Sequence, residues 1–446
     1  MKKYWKYIYT VLFLLIILVA SAGLFFGGRE DSQENGIDVE IPSLVENHKF
    51  NIKYLSKMGD YFEKNFAFRK EFVSAYDAIM DKVFFTSGQD GVIVGEKDWL
   101  YYKDSLDDFQ GRNQMTDRQL FDAAHTLAMI QNYAQKKGIS FVFTIAPNKN
   151  HLYPENMPFY YSGFRERENN FTRIQPFLRE EGVNYVDLYS VLKKQKEVLY
   201  HTRDSHWTNK GASLAADAIL TNLGITHRNY KNCSYSVKKD FIGDLYGMLY
   251  PAGSATEKEI YFQPEPEFSY VEKVENNFAA EIRTTGSGAG RSLVMYRDSF
   301  GNALLPFMAE SYQNAYFSRG EPYPLSDLVT YDADTLVIEK AERFLPKIAE
   351  RPPVMSAPIV SSSQVSDEQY LKINDYDIEE LGNYTCISGL LGNEKIETRD
   401  RIFIRVNGLL NYEAFPMSTE KGEGYSLCLP TSLLKDENTF EMCIKK

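Results

Sequence analysis

Cysteine is scarce: Cys233, Cys386, Cys428 and Cys443 are the only four in 446 residues, and no C-x-x-C pair occurs. That spacing excludes a zinc ribbon and a thioredoxin-type motif. Excess positive charge is lacking too, since 50 Lys and Arg stand against 61 Asp and Glu, a net charge of −11. A polyanion grip needs a basic face, so nucleic acid is not an expected partner. Neither G-x-G-x-x-G nor G-x-x-x-x-G-K-[ST] appears, which removes the fingerprints of dinucleotide and P-loop sites. After residue 26 no long apolar run recurs, so the chain is expected to make one membrane pass. Wholesale disorder is excluded as well, because 43% of residues are hydrophobic.

The first run itself sets the compartment. Lys2, Lys3 and Lys6 precede an apolar stretch from Ile8 to Phe26, and the first acid is Glu30. A helix of that length spans roughly 28 Å, one hydrocarbon thickness. The cationic flank predicts a cytoplasmic N-terminus with the remainder outside. Val19-Ala20-Ser21-Ala22 has the small residues of a signal-peptidase site, but Leu24, Phe25 and Phe26 continue the run and favour a retained anchor. Expected are an anchor over 1–28, a polar tether over 29–49, and a cell-membrane, single-pass protein with its catalytic domain extracellular. No soluble nucleotide or acyl-CoA pool exists there. No cofactor and no metal are expected.

Periodicity organises the rest. Apolar residues at helical spacing from Phe50 to Phe85 predict one or two amphipathic helices. Val92–Gly95 and Trp99–Tyr102 read as a hairpin. Helices are predicted after the capping box Thr116/Gln119, over 170–181, after the N-cap Thr208, and over 302–311. Between them lie near-continuous apolar strands at 140–146, 184–188, 292–296, 315–318 and 335–339. Such alternation means a parallel sheet covered on both faces. A domain over 50–352 is expected, with a loop-rich insertion near 224–290. After Arg351-Pro352-Pro353 short alternating segments predict a small β-sandwich over 353–446. One disulfide is expected among Cys386, Cys428 and Cys443, with the pair left open. The 31 Tyr and 29 Phe suit sugar stacking, and a large core uses the same residues.

Two segments carry chemistry. In the second, Met295-Tyr296-Arg297-Asp298-Ser299-Phe300-Gly301-Asn302, a buried strand runs into a turn and then a helix. A serine there sits where doubly wound sheets place ligands, beside N–H groups that favour an oxyanion. Alone it reads equally as a helix cap. The first, His201-Thr202-Arg203-Asp204-Ser205-His206-Trp207-Thr208, supplies what a serine nucleophile needs: a base oriented by a carboxylate. In Asp-x-His a short bend brings the carboxylate to Nδ1 and leaves Nε2 for the serine. His125, His151 and His227 have no acid two residues away, and His48, which has Glu46, falls in the expected tether. Glu339 and Arg343 read as a salt bridge one helical turn apart.

Asp204-Ser205-His206-Trp207-Thr208 followed by Arg297-Asp298-Ser299-Phe300 resembles the SGNH-hydrolase-like domain of the alginate O-acetyltransferase proteins, and the membrane-anchored DHHW proteins in particular. Phe66–Arg69, Asp98–Tyr101 and Ala146–Lys149 extend the resemblance over residues 50–350. It implies a flavodoxin-like fold in circularly permuted order, with Ser299 as nucleophile, His206 as base and Asp204 as its orienter. Ser205 replaces the family's first histidine, and Arg297 replaces a glycine. Asn148 and the Ser299 amide are the expected oxyanion donors, with Arg297 and Trp207 beside the substrate. The resemblance further implies O-acetylation of an extracytoplasmic polysaccharide, with acetyl supplied by a membrane-bound O-acyltransferase partner. A carbohydrate acetylesterase with the same triad and a non-catalytic glycan-binding protein are the rival readings.

Overall fold

The structure is a computed structural model that describes residues 7–15, 17–18, 41–46, 49–66, 68–163, 168–288, 290–361, 365, 370–392 and 394–445. The chain forms two compact units, Met1–Ile93 with Asp244–Ala255, and Val94–Gly243 with Thr256–Lys446. The expected boundary at 352/353 therefore falls inside the second unit.

In the first unit two helices, Tyr54–Asn65 and Arg69–Phe84, occupy the amphipathic stretch. The Tyr250 hydroxyl donates to Asp81 of the second. Residues 7–15 and 17–18 are helical. The rest of the expected span, Ile16 and 19–26, lies outside the described residues. Among those described, no helix is long and apolar enough to cross a membrane.

The second unit is built on a seven-stranded sheet: β1 (Ser140–Ala146), β2 (Tyr185–Val186), β3 (Phe268–Tyr270), β4 (Glu281–Gly286), β5 (Ser292–Tyr296), β6 (Asn314–Ser318) and β7 (Thr335–Ala341), in the order β2-β1-β7-β5-β6-β4-β3. The first five in that order are parallel. Counting from β5 through β6 and β7 and back to β1 and β2, they run second, first, third, fourth, fifth. That is the flavodoxin-like order opened at another point, so the permutation implied by the motif order is built into the topology. The switch point lies between β5 and β7.

Alternation along these strands divides the core. Val142, Met295 and Val337 face α3 (Asn209–Asn222) and α4 (Gly301–Ala309). Phe143, Val294 and Ile338 face α1 (Asp117–Lys136) and α2 (Asn170–Glu180). The Thr116/Gln119 capping box opens α1, and Gly138, at φ +77°, follows its end. In the loop-rich insertion, β4 pairs antiparallel with β6 and β3 antiparallel with β4, extending the sheet, and Ser234–Phe241 pairs with Glu257–Gln263 as a separate hairpin.

The C-terminal strands form a β-sandwich whose leaves share one long strand. Leu410–Thr419 pairs with Arg401–Val406 through its first half and with Gly422–Pro430 through its second. Ile404, Tyr412, Leu427 and Met442 fill the space between the leaves. Phe415 instead belongs to the core around α1, which is why this domain is not a separate compact body. Cys386 and Cys428 face each other on neighbouring strands and form the disulfide. Cys443 is buried, its Sγ 3.9 Å from Ile444 O.

Candidate active site

Ser299 lies three residues beyond β5, at the turn into α4. Asp298 makes that turn. Its carboxylate accepts from the N–H of Phe300 at 2.9 Å and of Ala341 at 2.5 Å, while its own N–H donates to Glu339 at 3.1 Å. These bonds tie the exit of β5 to the exit of β7. Glu339 is 1% exposed; burial, then the neighbouring Asp298, pushes its carboxyl well above the usual range and favours the neutral acid. The Ser299 N–H meets no protein acceptor among the described residues, and it sits at the head of α4, where it can donate to an oxyanion.

His206 comes from the loop between Tyr200 and Thr208. His201 N–H to His206 O (3.2 Å) and Thr208 N–H to Leu199 O (2.8 Å) close it into a bend. Asp204 Oδ1 then accepts from the His206 backbone N–H at 2.7 Å and lies 2.9 Å from Nδ1. One oxygen thus fixes both the main chain and the ring. Ser205 Oγ is 3.1 Å from the same Nδ1. With Nδ1 facing a carboxylate, that nitrogen carries the proton and Nε2 presents its lone pair. Nε2 lies 2.8 Å from Ser299 Oγ.

Asp204, His206 and Ser299 are therefore brought into one hydrogen-bonded line. The other named residues go elsewhere. Trp207 is fully buried, its indole N–H donating to Phe300 O at 3.1 Å, so it supports the triad from behind. Arg297 is buried with its guanidinium on Asn302 Oδ1 (2.6 Å) and on the carbonyls of Asn277 and Ala279 (3.1 and 3.0 Å). Burial and the nearby Arg319 lower its pKa to about 10. A Cβ on Gly301 would meet the Arg297 side chain at 2.6 Å, so the arginine's packing requires that glycine. Asn148, buried at the exit of β1 two strands from β5, bonds Asp108 at 3.0 Å and makes no hydrogen bond to Ser299. Asp108 itself is pushed up by burial and by Glu342. Glu339 and Arg343 do not pair: β7 runs on to Ala341, and Arg343 lies over Tyr102, Phe300 and Phe344.

Sequence reasoning missed the residues that hold the bend. Lys149 Nζ donates to the carbonyls of Leu100, Thr202 and Asp204 at 2.7, 2.7 and 2.9 Å. Glu257 accepts the N–H groups of Thr202 and Arg203 at 2.7 and 2.8 Å. Glu259 is 3.0 Å from His201 Nε2 and accepts the Asn209 N–H. Both glutamates come from the insertion, more than fifty positions away, and no local pattern marks them.

A family described as the SGNH hydrolase-like domain of the acetyltransferase AlgX matches residues 92–273. The probable alginate O-acetylase AlgJ of Pseudomonas syringae pv. tomato is 25% identical over 222 residues, 48% of this chain and 51% of that protein. The chain spans about half the length of the curated relatives it matches. Among solved structures, a DHHW family protein from Eubacterium siraeum aligns at 16% identity, covering 50% of this chain and 85% of that one, with a TM-score of 0.40. Bacillus cereus PatB1 aligns at 13% identity over 57% and 96%, with a TM-score of 0.44. Over residues 92–273, which take in Asp204–Thr208 but not Arg297–Phe300, the chain is thus similar to the SGNH hydrolase-like domain of the AlgX acetyltransferase, and the resemblance to that family is borne out.

Proposed function

We propose that the protein is an extracytoplasmic, serine-dependent O-acetyltransferase acting on a polysaccharide, held at the membrane by its N-terminal apolar segment. The observation that carries the reading is the line from Asp204 through His206 to Ser299, at 2.9 and 2.8 Å. His206 Nε2 takes the Ser299 proton as Oγ attacks the acetyl carbonyl, and the Ser299 N–H stabilises the tetrahedral oxyanion. The imidazolium returns its proton to the departing donor oxygen, leaving acetyl-Ser299. A sugar hydroxyl then gives its proton to Nε2 and attacks the acetyl-serine; the imidazolium returns that proton to the departing Ser299 Oγ as the sugar ester leaves, regenerating both residues. A membrane-bound O-acyltransferase partner would deliver acetyl to the outer face.

The test gives the purified full-length protein an activated acetyl ester and an oligosaccharide acceptor. Acetylated oligosaccharide is expected, and Ser299→Ala should lower turnover by on the order of a thousandfold or more. Exclusive hydrolysis at saturating acceptor would reject transfer in favour of esterase chemistry. Undiminished turnover in Ser299→Ala would reject the serine mechanism.

A further inference from the structure

Beyond the triad, a cleft of about 700 Å³ opens between the 271–280 loop, β4, β6 and Tyr331. Pockets that hold organic ligands run from about 300 to 1,000 Å³. Tyr331, partly exposed, lines it and is backed by the buried Tyr316, the two rings stacked at 3.9 Å with 19° between planes. This gives a stiff aromatic platform beside hydrogen-bonding groups, the combination that takes the apolar face and the hydroxyls of a pyranose.

The cleft is mechanically joined to the Ser299 turn. Tyr296 pairs with Ser318, and Ser318 with Glu281, so Glu281 lies two strand spacings, about 10 Å, across the sheet from the end of β5. The Arg297 guanidinium binds the carbonyls of Asn277 and Ala279 in the loop that walls the cleft, and Asn277 Nδ2 donates to Asn302 O at 3.0 Å. One polymer chain lying along this rim can fill the cleft and present a neighbouring hydroxyl to Ser299.

Charge narrows the ligand. Glu272, Glu275 and Glu281 face Lys273 and Arg283. Arg283 is paired with Glu272, which leaves two carboxylates against one ammonium. A polyuronate would meet like charge here and be repelled.

We propose that this cleft is an acceptor subsite for an uncharged stretch of polysaccharide, stacked on Tyr331 and excluding uronates. The proposal rests on the acetyl-transfer reading above and adds its substrate class. Titration of the full-length protein in detergent with an N-acetylglucosamine tetrasaccharide and a mannuronate tetrasaccharide tests it. The neutral sugar should bind, and the uronate about tenfold or more weaker. Tyr331→Ala should weaken the neutral sugar by about tenfold, as loss of one stacking contact does, and Tyr331→Phe should restore it. Ser299-dependent cleavage of a small acetyl ester should be unchanged in both. Glu275→Lys with Glu281→Lys, two exposed changes that leave the platform intact, should shift preference toward the uronate. Wild-type protein that binds both sugars equally, or neither, overturns the subsite, as does undiminished binding by Tyr331→Ala. Ser299→Ala separates the two ideas: unchanged ester cleavage there overturns the acyl chemistry and leaves the binding measurements to decide the cleft.

Discussion

Asp204 Oδ1 bonds both the backbone and the ring of His206, so loss of that carboxylate removes the ring's orientation along with its charge partner. Members of a catalytic triad act as a unit, and their effects are not additive. His206→Ala, Ser299→Ala and the double variant are therefore expected to lose comparable rate on a small acetyl ester; a double variant losing the product of the two single effects would show independent roles. Glu339 behaves differently. Burial and Asp298 raise its pKa, which favours the neutral acid, and its Oε2 accepts the Asp298 N–H. Glutamine can do the same, and Glu339→Gln should keep turnover within a few-fold. Glu339→Ala leaves the Asp298 N–H buried without an acceptor, at a cost of about 1–3 kcal/mol in stability. Equal behaviour of the two variants in thermal unfolding and ester turnover would refute this role.

The loop from Tyr200 to Thr208 is an element with little structure of its own, shaped by groups far away in sequence. Glu257 holds the amides of Thr202 and Arg203, and Lys149 holds the carbonyls of Thr202 and Asp204. Displacing a catalytic group by about 1 Å can cost a hundredfold in rate. Glu257→Ala is thus expected to lower kcat on a small ester by roughly ten- to a hundredfold with KM little changed, and to add nothing in a Ser299→Ala background. A KM effect alone would point to substrate contact instead. This loop also marks the limit of what the sequence discloses. The apolar runs of β1, β5 and β7 and the caps Thr116 and Thr208 are local signals, and they appear where periodicity predicts them. Asp204, His206 and Ser299 were legible because a nucleophile, a base and an orienting acid are a chemical requirement. Glu257, Glu259 and the antiparallel strands β3 and β4 were not, because their partners are set by tertiary pairing. Nor did alternation reveal that Leu410–Thr419 serves two leaves, since a strand that changes leaf keeps its period of two.

At the scale of the whole second unit, the C-terminal sandwich is fastened to the sheet domain by ionisable groups along α1. His125 lies between Glu181, 2.7 Å from Nδ1, and Glu413 of the sandwich, 3.0 Å from Nε2. Arg118 reaches the carbonyls of Glu397, Thr398 and Asp400 and pairs with Asp122 at 2.8 Å; Arg401 lies 3.7 Å from Glu413. Burial disfavours charge on His125, but Glu181 and Glu413 outweigh it and raise the pKa. A histidine whose folded pKa is raised adds stability that is full below its unfolded pKa, about 6.5, and lost as pH rises through the folded value. Asp122, pushed to about 7 chiefly by burial, acts in the same sense: as pH rises from its unfolded value toward 7, the unfolded chain ionises first and gains relative to the fold. Glu181, lowered by His125 against its own burial, acts oppositely, its contribution being lost as pH falls below the carboxylate range. The seam should hold best near pH 5, just above the carboxylate range, and weaken progressively toward pH 8. Thermal unfolding of the full chain is expected at lower temperature at pH 8 than at pH 6. His125→Gln, which keeps an amide for one glutamate but cannot take up the proton, should lower the melting temperature at pH 6 and flatten its dependence between the two. A variant as steep as wild type over that interval would remove His125 from the account and leave Asp122 as the source of the slope.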